Sequence, residues 1–485
     1  MTDPTFHSAL QLAAAIRSRE IGSRELLDHY LARVGRFNPQ LNALVTLDAD
    51  RARTRADAAD AALARGESWG ALHGVPITIK DSFETEGLLT TSGSPTLAKH
   101  VPKTSAVAVQ RLVDAGAVVF AKSNLPTFAM DWQSYNPVFG TCNNPFDLAR
   151  TPGGSSGGAA AVVAAGLTGL ELGSDIGGSI RIPAHFCGIY GHKPSHGLVP
   201  QRGHIPGPPG TLGETDIAVI GPLARDADDL AAALDILAGP VAEDATAWRV
   251  QLPPPRRTAL REFRVAAWLD DPLCPVDEET RSCHRRMVDA LRAAGVTVDE
   301  TARPGFAFAE AHRHYASLLY AATSAGLPRE QFAQLARAAD AAPADVHSES
   351  LAFARDATQR HRDWIVTNEM RQRMRGAWAR FFDAHDVLLC PVTPTPAIPH
   401  DHSEPFPARV LSVDGMPRPY TDMVMWSGLI GMALLPSTVA PVGRTRAGLP
   451  LGVQIVGPYL EDHTAIRFAR VLAEVTGGFA RPAGY

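Results

Sequence analysis

The strongest constraint on this chain is a hexamer, Gly153-Gly154-Ser155-Ser156-Gly157-Gly158, that runs directly into the small, apolar stretch 159–166. Four glycines around two serines open backbone torsions closed to other residues and let a second group approach the main chain. The Ala-rich run behind them predicts a helix, with the serines near its positive end. A flexible linker would lie in polar low-complexity sequence, whereas this segment lies between strand and helix patterns. A second cluster, Gly173-Ser174-Asp175-Ile176-Gly177-Gly178-Ser179-Ile180-Arg181-Ile182-Pro183-Ala184, follows Leu170-Glu171-Leu172, which reads as a strand. Gly177-Gly178 predicts a tight turn ending at Ser179. Successive N–H groups in such a turn converge on one spot and can hold an oxyanion or a phosphate. Neither Gly-Lys-Ser/Thr nor a Gly-x-Gly-x-x-Gly motif in the required context follows, which argues against a nucleotide.

Around these clusters the apolar periodicity alternates. Gly74-Val75-Pro76-Ile77-Thr78-Ile79 reads as a buried strand ending in Lys80-Asp81, residues 105–115 as a helix and 117–121 as a strand. Further strands are expected at 264–269, 386–391 and 451–457, and helices at 48–65, from 226 to 237, at 278–293 and at 462–475. Residues 8–33 predict two helices capped by Ser8 and Ser23. This alternation predicts an α/β fold with at least part of its sheet buried on both faces. Residues 306–382 read as mostly helical and charged, with no chemistry of their own.

The 485 residues, 45% hydrophobic and 20% charged, suit a globular protein with a real core. A net charge of −5 without a basic block argues against nucleic acid as a partner. Met1-Thr2-Asp3-Pro4 lacks the basic start and apolar core of a signal peptide, and no apolar run is long enough to span a bilayer, so a cytoplasmic protein is expected. Five scattered cysteines without a Cys-x-x-Cys pair read as free, buried thiols. The pairs His312/His314 and His400/His402 lack a well-spaced third ligand, so no metal and no other cofactor is expected.

Three of these segments resemble the amidase signature family: Gly-Val-Pro-Ile-Thr-Ile-Lys-Asp ending at Asp81, the Gly/Ser hexamer, and Asp-Ile-Gly-Gly-Ser-Ile-Arg-Ile-Pro from Asp175. The likeness continues through Lys122-Ser123-Asn124, Gly191-His192-Lys193-Pro194, Gly221-Pro222-Leu223-Ala224-Arg225, Cys390-Pro391-Val392-Thr393-Pro394 and 448–454, and is weakest over about 241–385. It implies one amidase signature domain over 1–485: a mixed, twisted central sheet covered by helices on both faces. Residues 72–225 would carry the catalytic motifs, 241–385 a variable helical region, and 386–485 the return to the sheet. By the same resemblance Ser179 matches the nucleophile, Ser155 the bridging serine after a cis Gly154–Ser155 bond, and Lys80 the base. The N–H groups of Ile176, Gly177, Gly178 and Ser179 match the oxyanion hole. Gly154, Ser156, Ser174, Asp175 and Arg181 are expected to support the site, the last two as an ion pair.

The residues allow the same chemistry without the family. A serine hydroxyl needs a base; His73, His185 and His192 lack a Ser-His-Asp arrangement, and lysine can serve in that role. Only about one lysine in 10³ is neutral near pH 7.5 at its reference pKa, so Lys80 must be buried to act. The expected function is hydrolysis of carbon–nitrogen bonds in linear, apolar or aryl amides, with esters and carbamates as related substrates. The partner would be a small amide-type molecule, and the chain a monomer or homodimer. Met130, Trp132, Tyr135, Met423, Met425 and Trp426 are pocket candidates. Two alternatives stand: the glutamine-hydrolysing component of a tRNA-dependent amidotransferase (its A chain), from which 202–210 departs, and an inactive binding homologue.

Overall fold

The computed structural model describes residues 3–343, 346 and 348–485. Its sheet strands are β1 (Leu44–Leu47), β2 (Pro76–Lys80), β3 (Val118–Ser123), β4 (Leu170–Asp175), β5 (Tyr190–Lys193), β6 (Val219–Ala224), β7 (Val265–Ala267), β8 (Val298–Asp299), β9 (Val387–Cys390), β10 (Ser437–Arg444) and β11 (Pro450–Val456). They form one eleven-stranded sheet in the order β1-β3-β2-β4-β6-β5-β10-β11-β9-β7-β8. β3-β2-β4 and β9-β7-β8 are parallel blocks, and the remaining pairs are antiparallel. Two of these strands, β7 and β8, come from 241–385, so that region joins the sheet as well as adding helices.

Every residue of β2, β3, β4 and β9 is buried, as expected of strands covered on both faces. The period of two divides β9 cleanly. Val387 and Leu389 enter one hydrophobic core, and Leu388 and Cys390 the other. All five cysteines are free and buried. No described helix is long and apolar enough to cross a membrane.

Helix boundaries follow the capping chemistry with one correction. Ser8 caps helix Ala9–Arg17 in a reciprocal box with Gln11. Ser23 is not a cap: helix Ser23–Leu41 starts after Gly22, and the Ser23 hydroxyl donates to Gly74 O at 2.6 Å. The first turn is satisfied by the Asp60 carboxylate, which accepts from Ser23 N (2.7 Å) and Arg24 N (3.0 Å). Strands β5, β6 and β10 go beyond what the local pattern predicts. Gly221-Pro222 argues against a strand, yet β6 pairs with β5 only at Ala224 and Leu223, so the missing Pro222 N–H leaves no gap on that side.

Candidate active site

Lys80 is the last residue of β2, flanked by the parallel strands β3 and β4. Ser155 and Ser156 precede helix Gly157–Ala164, whose eight residues are all buried, as the Ala-rich run predicts. Ser174 lies near the end of β4, and Ser179 in the turn between β4 and helix Arg181–Cys187. Segments far apart in sequence thus meet at one end of the sheet. The Gly154–Ser155 peptide bond is cis. Gly154 lies against the 131–133 loop: a Cβ there would sit 2.6 Å from the Trp132 carbonyl carbon.

The Lys80 side chain is completely buried. Its Nζ is 2.7 Å from Ser155 Oγ, 3.0 Å from Ser156 Oγ and 3.0 Å from Ser174 Oγ. As an ammonium it donates to all three hydroxyls; as an amine it donates to two and accepts from the third. Burial drives its pKa down to about 7, against the opposing pull of Asp175 and Glu171. Ser179 is 4% exposed, and its carbonyl accepts from Ser156 N at 3.1 Å. Among the described residues its hydroxyl has no hydrogen-bond partner.

The turn corrects one part of the sequence reading. Gly178 N–H donates to Asp175 Oδ1 at 2.8 Å, so it is not free for an oxyanion. The Asp175 carboxylate also accepts from Ile180 N (3.0 Å) and from Arg181 Nε and Nη2 (3.0 and 2.8 Å). The N–H groups of Ile176, Gly177 and Ser179 remain without acceptors among the described residues. Burial alone would raise the Asp175 carboxyl, but Arg181 and the Ile180 N–H hold it at about 2. Arg181 is anchored in turn on Ser427 O (2.8 Å) and Gln454 Oε1 (2.6 Å). Gly178 itself has φ +95°, and a Cβ would meet Ile182 Cδ1 at 2.8 Å.

The pocket candidates scatter. Trp132 approaches the turn: a Cβ on Gly177 would lie 3.7 Å from its Nε1. Trp426 does not line a pocket; it is fully buried, donates to Cys274 O at 3.0 Å and packs on Trp268 and Phe308. Met423 and Met425 are likewise core residues, at 0% and 4% exposure. Met130 is exposed, and Tyr135 stacks on His402 and accepts from Arg409 at 2.7 Å. Two further residues reach the site without having been expected there. Tyr315, from the helical stretch read as without chemistry, donates to Ile176 O at 3.3 Å, and a Cβ on Gly177 would lie 2.9 Å from its hydroxyl. No local pattern distinguishes it. Glu171 does carry a signal, as a charge between Leu170 and Leu172 in a buried strand. Among the described residues no cluster of three or more His, Cys, Asp or Glu could hold a metal ion.

Fold and site together define the class: a mixed α/β sheet whose serine–lysine cluster sits beside a turn with unpartnered N–H groups. The chain belongs to the amidase signature family, whose profile, described as Amidase, matches residues 25–466. It is accordingly an enzyme that hydrolyses carbon–nitrogen bonds. It is 34% identical over 501 aligned residues to the A chain of the glutamyl-tRNA(Gln) amidotransferase of Anaeromyxobacter sp. (strain K), across 97% of this chain and 96% of that one. It is similar to a crystal structure of an amidase, with TM-score 0.77 and 28% identity over 96% of this chain and 99% of the other. A further match is a structure from a vestigial protein complex bearing on the evolutionary origins of an s-triazine catabolic enzyme. There the TM-score is 0.80 and the identity 27%, covering 98% of this chain and 100% of that one.

Proposed function

We propose that this enzyme hydrolyses small uncharged amides through an acyl-enzyme on Ser179, with Ser155 and Lys80 as the proton relay. Neutral Lys80 takes a proton from Ser155, which takes one from Ser179 as its oxygen attacks the carbonyl carbon. The N–H groups of Ile176, Gly177 and Ser179 receive the oxyanion. The proton returns through Ser155 to the leaving nitrogen, and water then cleaves the acyl-enzyme by the reverse route. Ser156 and Ser174 hold Lys80 in place, and the Asp175–Arg181 pair holds the turn. Esters and carbamates pass through the same oxyanion and are substrates on this reading. The observation that carries it is the completely buried Lys80, 2.7 Å from Ser155 and brought to about 7 by burial. It is a base poised near working pH.

Substrate class divides two readings. The sequence favours a stand-alone hydrolase over the glutamine-hydrolysing amidotransferase component, whereas kinship favours the latter: curated relatives at 31–34% identity are such components. The site chemistry supports the first. Next to the turn lie Trp132, Tyr315 and Val424, while the nearby charges are already paired, Asp175 with Arg181 and Asp131 with Arg409. Glutamine would bring an ammonium and a carboxylate, and burying either without a partner costs several kcal/mol. The deciding experiment gives the purified chain, alone, an anilide, a phenyl ester, an aryl carbamate and free glutamine. Turnover of the first three is expected. Ammonia release from glutamine with none from the others would establish the amidotransferase reading.

A further inference from the structure

We propose that Tyr315 is a positioning residue for this enzyme: its hydroxyl holds the Ile176 carbonyl and so aims the Gly177 N–H at the oxyanion. The inference rests on the reading of that N–H as an oxyanion donor and adds a residue from outside the Gly/Ser motifs. Tyr315 lies on the buried face of helix Phe308–Ser324, with Phe308, Ala311 and Leu318, and is 1% exposed. Its hydroxyl donates to Ile176 O at 3.3 Å, and no backbone N–H of the described residues donates to that carbonyl. Burial raises the phenol above its ordinary pKa, so it stays a donor at working pH. The Ile176–Gly177 peptide is trans, and in a trans peptide the C=O and N–H point in opposite directions. Fixing the carbonyl on Tyr315 therefore fixes the heading of the Gly177 N–H.

This peptide needs holding. A peptide unit rotates on the ψ of the residue before it and the φ of the residue after it, and Gly177 has no side chain to restrict the second. A flipped unit would present the Ile176 oxygen where the N–H had pointed, and the oxygen would repel an oxyanion. The Asp175 carboxylate does not prevent that flip. It accepts from Gly178 N (2.8 Å) and Ile180 N (3.0 Å), in the later half of the turn. Tyr315 secures the earlier half. Its ring is seated by Gly428, in helix Met425–Gly431: a Cβ there would lie 2.5 Å from Tyr315 Cε1. Glycine is unfavourable inside a helix, and the approach of the ring accounts for it here. A phenylalanine would fill the same seat. What the tyrosine adds is the hydroxyl, and a buried hydroxyl is placed by its hydrogen-bond partner.

The test is Tyr315→Phe in the full-length enzyme, which removes the hydroxyl and keeps the ring. For the anilide, or for glutamine should that prove the substrate, kcat is expected to fall about 10- to 100-fold with KM within about twofold, since a donor aimed at the oxyanion acts in the transition state. An aryl trifluoromethyl ketone, which Ser179 converts to a tetrahedral oxyanion, loses affinity by the same factor as kcat/KM. A smaller folded fraction would lower kcat but leave the inhibition constant alone, so the ketone separates aiming from structure. Gly428→Ala, whose methyl displaces the ring, gives the same split and serves if Tyr315→Phe does not fold. Unchanged kcat and ketone affinity overturn the role. So does a raised KM at unchanged kcat, which would put the hydroxyl on the substrate instead. The serine mechanism fails separately: ketone inhibition equal in wild type and Ser179→Ala would remove the oxyanion itself.

Discussion

Lys80 is shielded from solvent, so its charge is set by burial and by the carboxylates near it. Its pKa, lowered from 10.5 to about 7, gives the sign of the pH dependence. In the proposed relay the neutral amine is the base, so kcat/KM should rise as pH passes through about 7 and level off above it. A profile flat from about pH 5 to 9, with chemistry rate-limiting, would exclude Lys80 as base. Ser179→Ala should abolish turnover, and Ser155→Ala and Lys80→Ala should each slow it by about three orders of magnitude or more, since in the proposed relay the three act as a unit. Unchanged melting temperatures would show that these losses are chemical. At this scale the sequence is readable: Lys80, Ser155 and Ser179 stand in motifs whose glycines and strand pattern mark them out. Tyr315 is not, because a tyrosine on the buried face of a helix has no signature until its hydroxyl is seen on Ile176 O.

The turn from Asp175 to Arg181 is the element on which the site depends. The Asp175 and Arg181 side chains are both fully buried and 2.8 Å apart, and the carboxylate also holds the Gly178 and Ile180 N–H groups. Asp175→Asn leaves the Arg181 guanidinium buried with only neutral partners, Ser427 O and Gln454, at a cost of about 3–5 kcal/mol. Urea denaturation should show this as a lowered midpoint at unchanged slope. A loss below about 1 kcal/mol, the range of an exposed pair, would mean that the pair is not buried in solution. The family resemblance implies an oxyanion hole of four N–H groups. It does not assign Gly178 to Asp175, because which donor a carboxylate takes depends on where the turn folds back.

Across the whole molecule the sheet separates two cores, and β9 tests that arrangement. Leu388 and Leu389 are adjacent in sequence, fully buried, and belong to different cores. Leu388→Ala and Leu389→Ala should each cost about 2–5 kcal/mol by equilibrium unfolding, since each leaves a cavity. In a sheet wet on one face, one of the two would be nearly neutral, and that outcome would contradict the layered architecture.

By itself the sequence determined the α/β class, most strand and helix positions near the site, the free thiols and the set of serines and lysine that meet there. Those features are local: period-two apolar runs, capping residues such as Ser8, and Gly/Ser clusters whose torsions restrict what they can build. Only the tertiary structure decided what depends on distant segments meeting. It gave Ser23 to Gly74 instead of to its own helix, put Trp426 in the core and Trp132 at the turn, and brought Tyr315 onto Ile176 O across 139 positions of sequence. It also set Glu171 against hydroxyls from two neighbouring strands. Side-chain partners across a sheet are chosen by strand order and register, and neither is written in the residues of any one strand.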